Sequence, residues 1–220
     1  MKVNNLSRKQ SIESKHVRIN YDIYSTDYIK DLYDYLEKKI LKIKEYLEIN
    51  TINEPAEVTI YSEYNEFIKN VLKYNKYYKK VDDIPSYVVA DGGDDKHISV
   101  LSFNEYINVE GHQKCTIEDY KKTLVHELVH FYHHKLNKIN MIWINEGLAI
   151  YLSEQAEKYT SNKLNVQLKT YSDYYLVFKY VLENYDKNYI LKLISNVEMQ
   201  KIETPKILKK IENVIKRVEN

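Results

Sequence analysis

In the segment TLVHELVHFYHH, residues 123–134, two histidines stand four apart, with a glutamate directly after the first. Four residues is about one helical turn. On a helix, His126 and His130 therefore project from one face, within reach of a single ion. Zinc accepts neutral imidazole nitrogen and in catalytic sites keeps one position for water. Glu127 stands at the edge of that face, placed to take a proton from a water whose pKa zinc has lowered. A third ligand is required, and WINEGLA, residues 143–149, offers Glu146 after a turn and the start of an antiparallel helix. Gly147 beside it permits close packing of the second helix. The plainer alternatives are core histidines satisfied by backbone carbonyls, and a glutamate favoured in a first helical turn by the helix dipole. His133 shares a face with His126 and is an accessory ligand or else a solvated or outer-shell group, and His134 is read the same way. Cys115 is a thiolate that gates the metal or a buried, inert thiol.

The helix that must carry the two histidines is apolar on two sides. Tyr120, Leu124, Leu128 and Phe131 form one stripe, and Val125, Val129, Tyr132 and Leu136 form another. Such a helix is buried, and histidines inside it need partners. Thr116 with Asp119 reads as a capping box at its start, and the helix runs to about Lys138. Upstream, HVRINYDIY (16–24) alternates as a strand, and Thr26 caps a helix over Ile29–Leu47. AEVTIYS (56–62) is a second strand, followed by a short helix near 63–73. SYVVA (86–90) and HISVLSF (97–103) flank a Gly92-Gly93 turn; DGGDD lacks the ligand spacing of a calcium loop. Downstream, helices are expected over 144–158, 165–185, 187–196 and 205–218. The last starts at Thr204-Pro205 and carries Ile207, Leu208, Ile211, Val214, Ile215 and Val218 on one face. Strands with two helices first, then helices alone, predict an α+β fold. It forms one domain over 1–220, with an α/β part at about 16–115 and a helical part at about 116–220.

The 220 residues include Lys+Arg 33 and Asp+Glu 32, a net charge of +1. That balance argues against nucleic acid or an anionic membrane as partner. One cysteine excludes an internal disulfide and a cysteine-based zinc cluster. No apolar leader and no segment of about 20 apolar residues is seen, so the expected location is cytoplasmic.

HELVH followed by WINEGLA resembles the gluzincin metallopeptidases, specifically the branch containing aminopeptidase N, and the chain's size is similar to the minigluzincin or peptidase-MA-like group. The resemblance spans roughly residues 16–196 and implies a zincin-like fold binding one Zn2+. It makes His126, His130 and Glu146 the zinc ligands and Glu127 the general base and acid. It also implies a tyrosine on a later helix that stabilises the oxyanion; YSDYYLVFKYVL (171–182) fits with Tyr171 in that role, with Tyr174 and Tyr175 as neighbours. An edge strand that pairs with extended substrate is a further implied feature, and HISVLSF is its candidate. The Gly-x-Met-Glu-Asn segment that holds a free substrate amine is absent, which tilts the reading from exopeptidase to cleavage within a peptide or unfolded protein. Ile150, one turn past Glu146, replaces the aspartate of thermolysin-type sites. The alternative is a latent or non-catalytic zinc-binding protein of this fold that acts as a peptide-binding or regulatory module, with the C-terminal helix in the cleft.

Overall fold

The computed structural model describes residues 9–22, 26–92, 97–138, 140–159 and 168–218. The end of the first expected strand, the side chain of the Thr26 cap, the turn at Gly93–Asp95, the start of the helix expected from 165 and the side chain of Val218 lie outside the described residues. The fold is α+β, with a mixed sheet in the N-terminal part and, among the described residues, helices alone from residue 117 onward. The chain divides into two compact units, the first ending at Phe131 and the second beginning at Tyr132. The change from strand to helix near residue 115 and the division into units thus fall at different places.

In the first unit, period-two alternation sets the sheet. β2 (Val17–Tyr21), β3 (Ala56–Tyr61) and β5 (His97–Leu101) run parallel, and their registers align Ile19, Val58 and Ile98 in one row. All three are buried. Burying each such side chain contributes roughly 1.5–3 kcal/mol. A one-residue slip would turn the row to the other face, which holds the register. The parallel pairs require crossovers. α1 (Thr26–Tyr46) supplies the first, with Ile29, Leu32, Leu36, Ile40 and Ile43 buried at helical spacing, and α2 (Tyr64–Tyr74) supplies the second. β1 (Gln10–Glu13) adds antiparallel to β2, upstream of the first strand expected from the sequence.

The strand order is β1-β2-β3-β5-β4, which corrects the expectation that HISVLSF forms an edge. β4 (Ala90–Asp91) pairs antiparallel with Ser99 and Val100 and occupies the outer position. Of SYVVA only Ala90 lies in that strand, which continues to Asp91. Its apolar residues are consistent with strand, but Ala90 alone of them has a ladder partner, with the Val89 carbonyl accepting from Leu101 N at 2.9 Å, and pairing is a non-local property.

α3 (Phe103–Tyr106) follows β5, and an aromatic cluster ties both to α4 (Ile117–Leu136). The rings of Tyr28 and Tyr106 lie edge-on to Tyr120, with centroids 5.8 and 5.2 Å away. Tyr120 is fully buried and donates to the carbonyl of Leu101 at 3.0 Å. Burial pushes its hydroxyl well above the usual tyrosine range, so it is a neutral donor. Tyr120→Phe leaves that carbonyl without its donor, and a loss of about 1–3 kcal/mol is expected. It will be read as a lower urea midpoint at unchanged slope.

The second unit is helical: α5 (Ile142–Leu152), a 3-10 turn at Ala156–Tyr159, α6 (Tyr171–Asn184), α7 (Lys187–Ser195) and α8 (Val197–Val218). Thr170 and Asp173 make a reciprocal capping box at the start of α6. α8 begins eight residues before the expected start and carries Pro205 inside it. Proline at that point removes one backbone donor. Helix continuity is kept by what precedes it: Gln200 and Thr204 are buried, and Thr204 accepts from Trp143 Nε1 at 3.1 Å. Ile207 and Ile211 are buried as expected, whereas Val214 is 48 % exposed, so the apolar face covers less of the helix than its spacing suggests. No helix of the described residues is long and apolar enough to cross a membrane.

Candidate metal centre

α4 carries the histidines, and its local sequence explains its position. Thr116 and Asp119 cap it reciprocally, with Asp119 N donating to Thr116 Oγ1 at 3.2 Å and Thr116 N to Asp119 Oδ2 at 2.9 Å. Tyr120, Leu124, Leu128 and Phe131 on one stripe, and Val125, Val129 and Tyr132 on the other, are buried; Leu136 is half-buried. His126 is buried in the gap, and its ring lies 4.6 Å from that of His130, edge to face. Nδ1 of His130 is buried.

His126, His130 and Glu146 come together: one ligand atom from each lies within 4.8 Å of the others. Ligand atoms held tetrahedrally at ~2.0–2.2 Å from zinc stand roughly 3.4 Å apart. Rotamer adjustment closes the difference, so two imidazoles and a carboxylate form a donor set that can bind a metal ion. Cys115 and His133 are not in this group. Cys115 is half-buried, 3.9 Å from Nδ1 of His112.

Glu127, adjacent to His126, is half-buried. Its Oε2 lies so close to Gly92 that a Cβ there would sit 3.1 Å away. The backbone just past β4 therefore approaches this carboxylate in a way that a glycine allows. Tyr78 also senses it. Its hydroxyl is pushed up by burial first, and then by Asp91, Tyr87 and Glu127.

Glu146 is positioned by α5, whose Trp143, Ile144, Leu148, Ala149 and Ile150 are all buried. Its N-terminus is tied down where Met141 N donates to Gln200 Oε1 at 2.8 Å. Gly147 presses on α6, where an added Cβ would lie 2.4 Å from Phe178 Cβ. Tyr171 opens α6 and is 47 % exposed, with its ring 5.9 Å from Tyr159 and 6.1 Å from Tyr174; Tyr175 is buried. The sequence reading does not single out Tyr159, which senses Glu146. Burial raises its hydroxyl, and the negative charge of Glu146 raises it further. No periodic signal singles it out among 23 tyrosines, because it sits on an irregular turn after α5.

His133 is fully buried in the second unit. Its Nδ1 is 3.1 Å from Asn145 Oδ1, and its Nε2 is 3.3 Å from the carbonyl oxygen of Ile194. Asn145 in turn donates from Nδ2 to Glu146 Oε1 in a long bond of 3.5 Å. His133 is not among the residues that converge, and its burial rules out the solvated reading. No family model, curated protein or solved structure matches this chain.

Proposed function

We propose that this chain is a zinc-dependent metallopeptidase of gluzincin type that cleaves internal bonds of peptides or unfolded protein segments. The observation that carries the proposal is the convergence of His126, His130 and Glu146 on one potential ion position, with Glu127 directly beside His126 in the chain. Zinc, when bound by this set, acts as a Lewis acid toward water and the scissile carbonyl. Glu127 takes the proton of the attacking water and returns it to the leaving amine. A neutral tyrosine hydroxyl, from Tyr171 or from Tyr159, donates to the oxyanion. Extended substrate lies along β4 instead of β5, since β4 is the outer strand among the described residues and leads to Gly92 against Glu127. A carboxylate that served only to fill space would gain nothing from a glycine approach of that kind.

The test is a mixed peptide library incubated with protein of measured metal content and read by mass spectrometry. Internal cuts that a chelator abolishes and added zinc restores are expected. Stoichiometric zinc with no cuts at all would overturn the peptidase reading in favour of a binding module.

A further inference from the structure

We infer that a groove on the polar face of the sheet, beside α2, binds a small solute through a phosphate or carboxylate group. The site lies within the first unit and is independent of the metal reading. The registers place Asn20, Thr59 and Ser99 in one cross-strand row and Arg18, Glu57 and His97 in the next. Both rows face away from the apolar row of Ile19, Val58 and Ile98, since side chains alternate along a strand. Parallel strands are ordinarily apolar on both faces, because helices cover both. Here the second face is polar instead. With Lys9, and with Lys73 and Tyr74 of α2, it walls a groove of about 410 Å³. That volume falls in the range of small-ligand sites, roughly 300–1,000 Å³.

The chemistry of the lining selects the ligand. Glu57 is its one carboxylate, and both oxygens are engaged: Oε1 accepts from Asn20 Nδ2 at 3.0 Å, and Oε2 meets His97 Nε2 at 3.2 Å. A ring nitrogen facing a carboxylate carries a proton whether the ring is neutral or charged, so Glu57 is satisfied by the protein in either state. Tyr74 holds the ring there, stacked on it at 4.5 Å and 10°. Asp91, on the same face opposite Ser99, accepts from Asn75 Nδ2 at 2.7 Å and does not line the groove. Lys9 and Lys73 do line it, and among the described residues neither makes an ion pair. Lys73 Nζ donates to the Tyr74 hydroxyl at 2.7 Å, a phenol oxygen that does not cancel its charge. Two lysines against one glutamate leave the lining at +1 with His97 neutral and +2 with it protonated. The hydroxyls of Thr59 and of the buried Ser99 add donors. A group that is negative and accepts hydrogen bonds complements this lining, whereas an amine does not. An oxyanion alone fills only a fraction of the volume, so the groove takes that group on a small polar carrier.

The experiment is isothermal titration calorimetry on the zinc-free full-length protein, so that no metal competes for the anion. Inorganic phosphate and malonate are titrated at one ionic strength into wild type and into Lys73→Ala, Lys9→Ala, Thr59→Val and Lys179→Ala, each checked for folding by circular dichroism. Lys179 lies on α6, where it pairs with Glu183, and controls for the loss of a surface charge. One saturable site per chain is expected. Lys73→Ala should weaken it roughly 10- to 100-fold, as for a lost charge-assisted hydrogen bond. Thr59→Val, which keeps the side-chain shape and removes the hydroxyl, should weaken it as well, and Lys179→Ala should leave it within twofold. Saturation by phosphate alone assigns a phosphoryl ligand and by malonate alone a carboxylate; either or both support the groove. No saturable binding of either anion overturns the inference. So does an affinity that Lys73→Ala leaves within twofold, or that all three lysine variants lower equally, which is the behaviour of diffuse surface charge.

Discussion

Glu127→Gln is expected to keep zinc bound and to lower kcat by roughly 10²- to 10⁴-fold, the range that a positioned general base contributes. The substitution is nearly isosteric, so the close approach of Gly92 to the side chain survives it. What changes is the ability to accept a proton. KM should move little, because the glutamate is assigned to proton transfer and not to holding substrate. His126→Ala provides the contrast, since it removes one of three ligands and should lose both metal and activity. Kinetics on any peptide that the wild type cuts, with metal content measured on the same samples, decides the matter. Activity within threefold of wild type in a zinc-loaded glutamine variant would remove Glu127 from the mechanism.

The largest structural effect is expected at Gly147. Alanine there would gain about 1 kcal/mol of helix propensity over glycine. Against that, its methyl would meet Phe178 Cβ at 2.4 Å, Phe178 Cγ at 2.9 Å and the Tyr174 carbonyl oxygen at 3.0 Å. Carbon contacts settle near 3.5–4.0 Å, and a Cβ cannot swing aside as a side-chain tip can. The helices α5 and α6 must therefore move apart by about an ångström, and overpacking of a filled core costs roughly 1–3 kcal/mol or more. The packing loss exceeds the propensity gain, so Gly147→Ala should lower stability by about 2 kcal/mol. Glu146 is the adjacent residue, so zinc affinity should fall in the same variant. Urea unfolding of the zinc-free protein checks the first part. Stability within 0.5 kcal/mol of wild type would show that the two helices yield more easily than this spacing implies.

The parts of the site written as short spacings were legible in the sequence. The four-residue interval places His126 and His130 on one face, and Glu146 joins them from α5. The Thr116–Asp119 box and both apolar stripes of α4 were equally legible, because each is a property of neighbouring residues on one helix. Sheet order was not legible. Nothing local to HISVLSF says that Ala90 and Asp91 will lie outside it, since strand neighbours are chosen by distant pairings. Pro205 misled for a related reason. Proline at a first helical position is a good local signal, yet the buried Gln200 and Thr204 carry α8 upstream through contacts with Met141 and Trp143. The His133–Asn145 pair joins residues on different helices, and the other ring nitrogen meets the Ile194 carbonyl only once α7 is in place.

The mixed sheet also has a kinetic consequence. The pairs Val17↔Ala56 and Val58↔Ile98 join residues about forty positions apart, and loops of that size must close before a parallel ladder forms. The helical second unit draws its backbone hydrogen bonds from residues three or four apart, so its helices can begin to form before distant side-chain ties such as Trp143 to Thr204 are made. After dilution from denaturant, helical circular dichroism should therefore recover in an early phase, with the burial of Tyr120 in a later one. A refolding experiment that follows both signals would find the sheet-containing unit setting the pace.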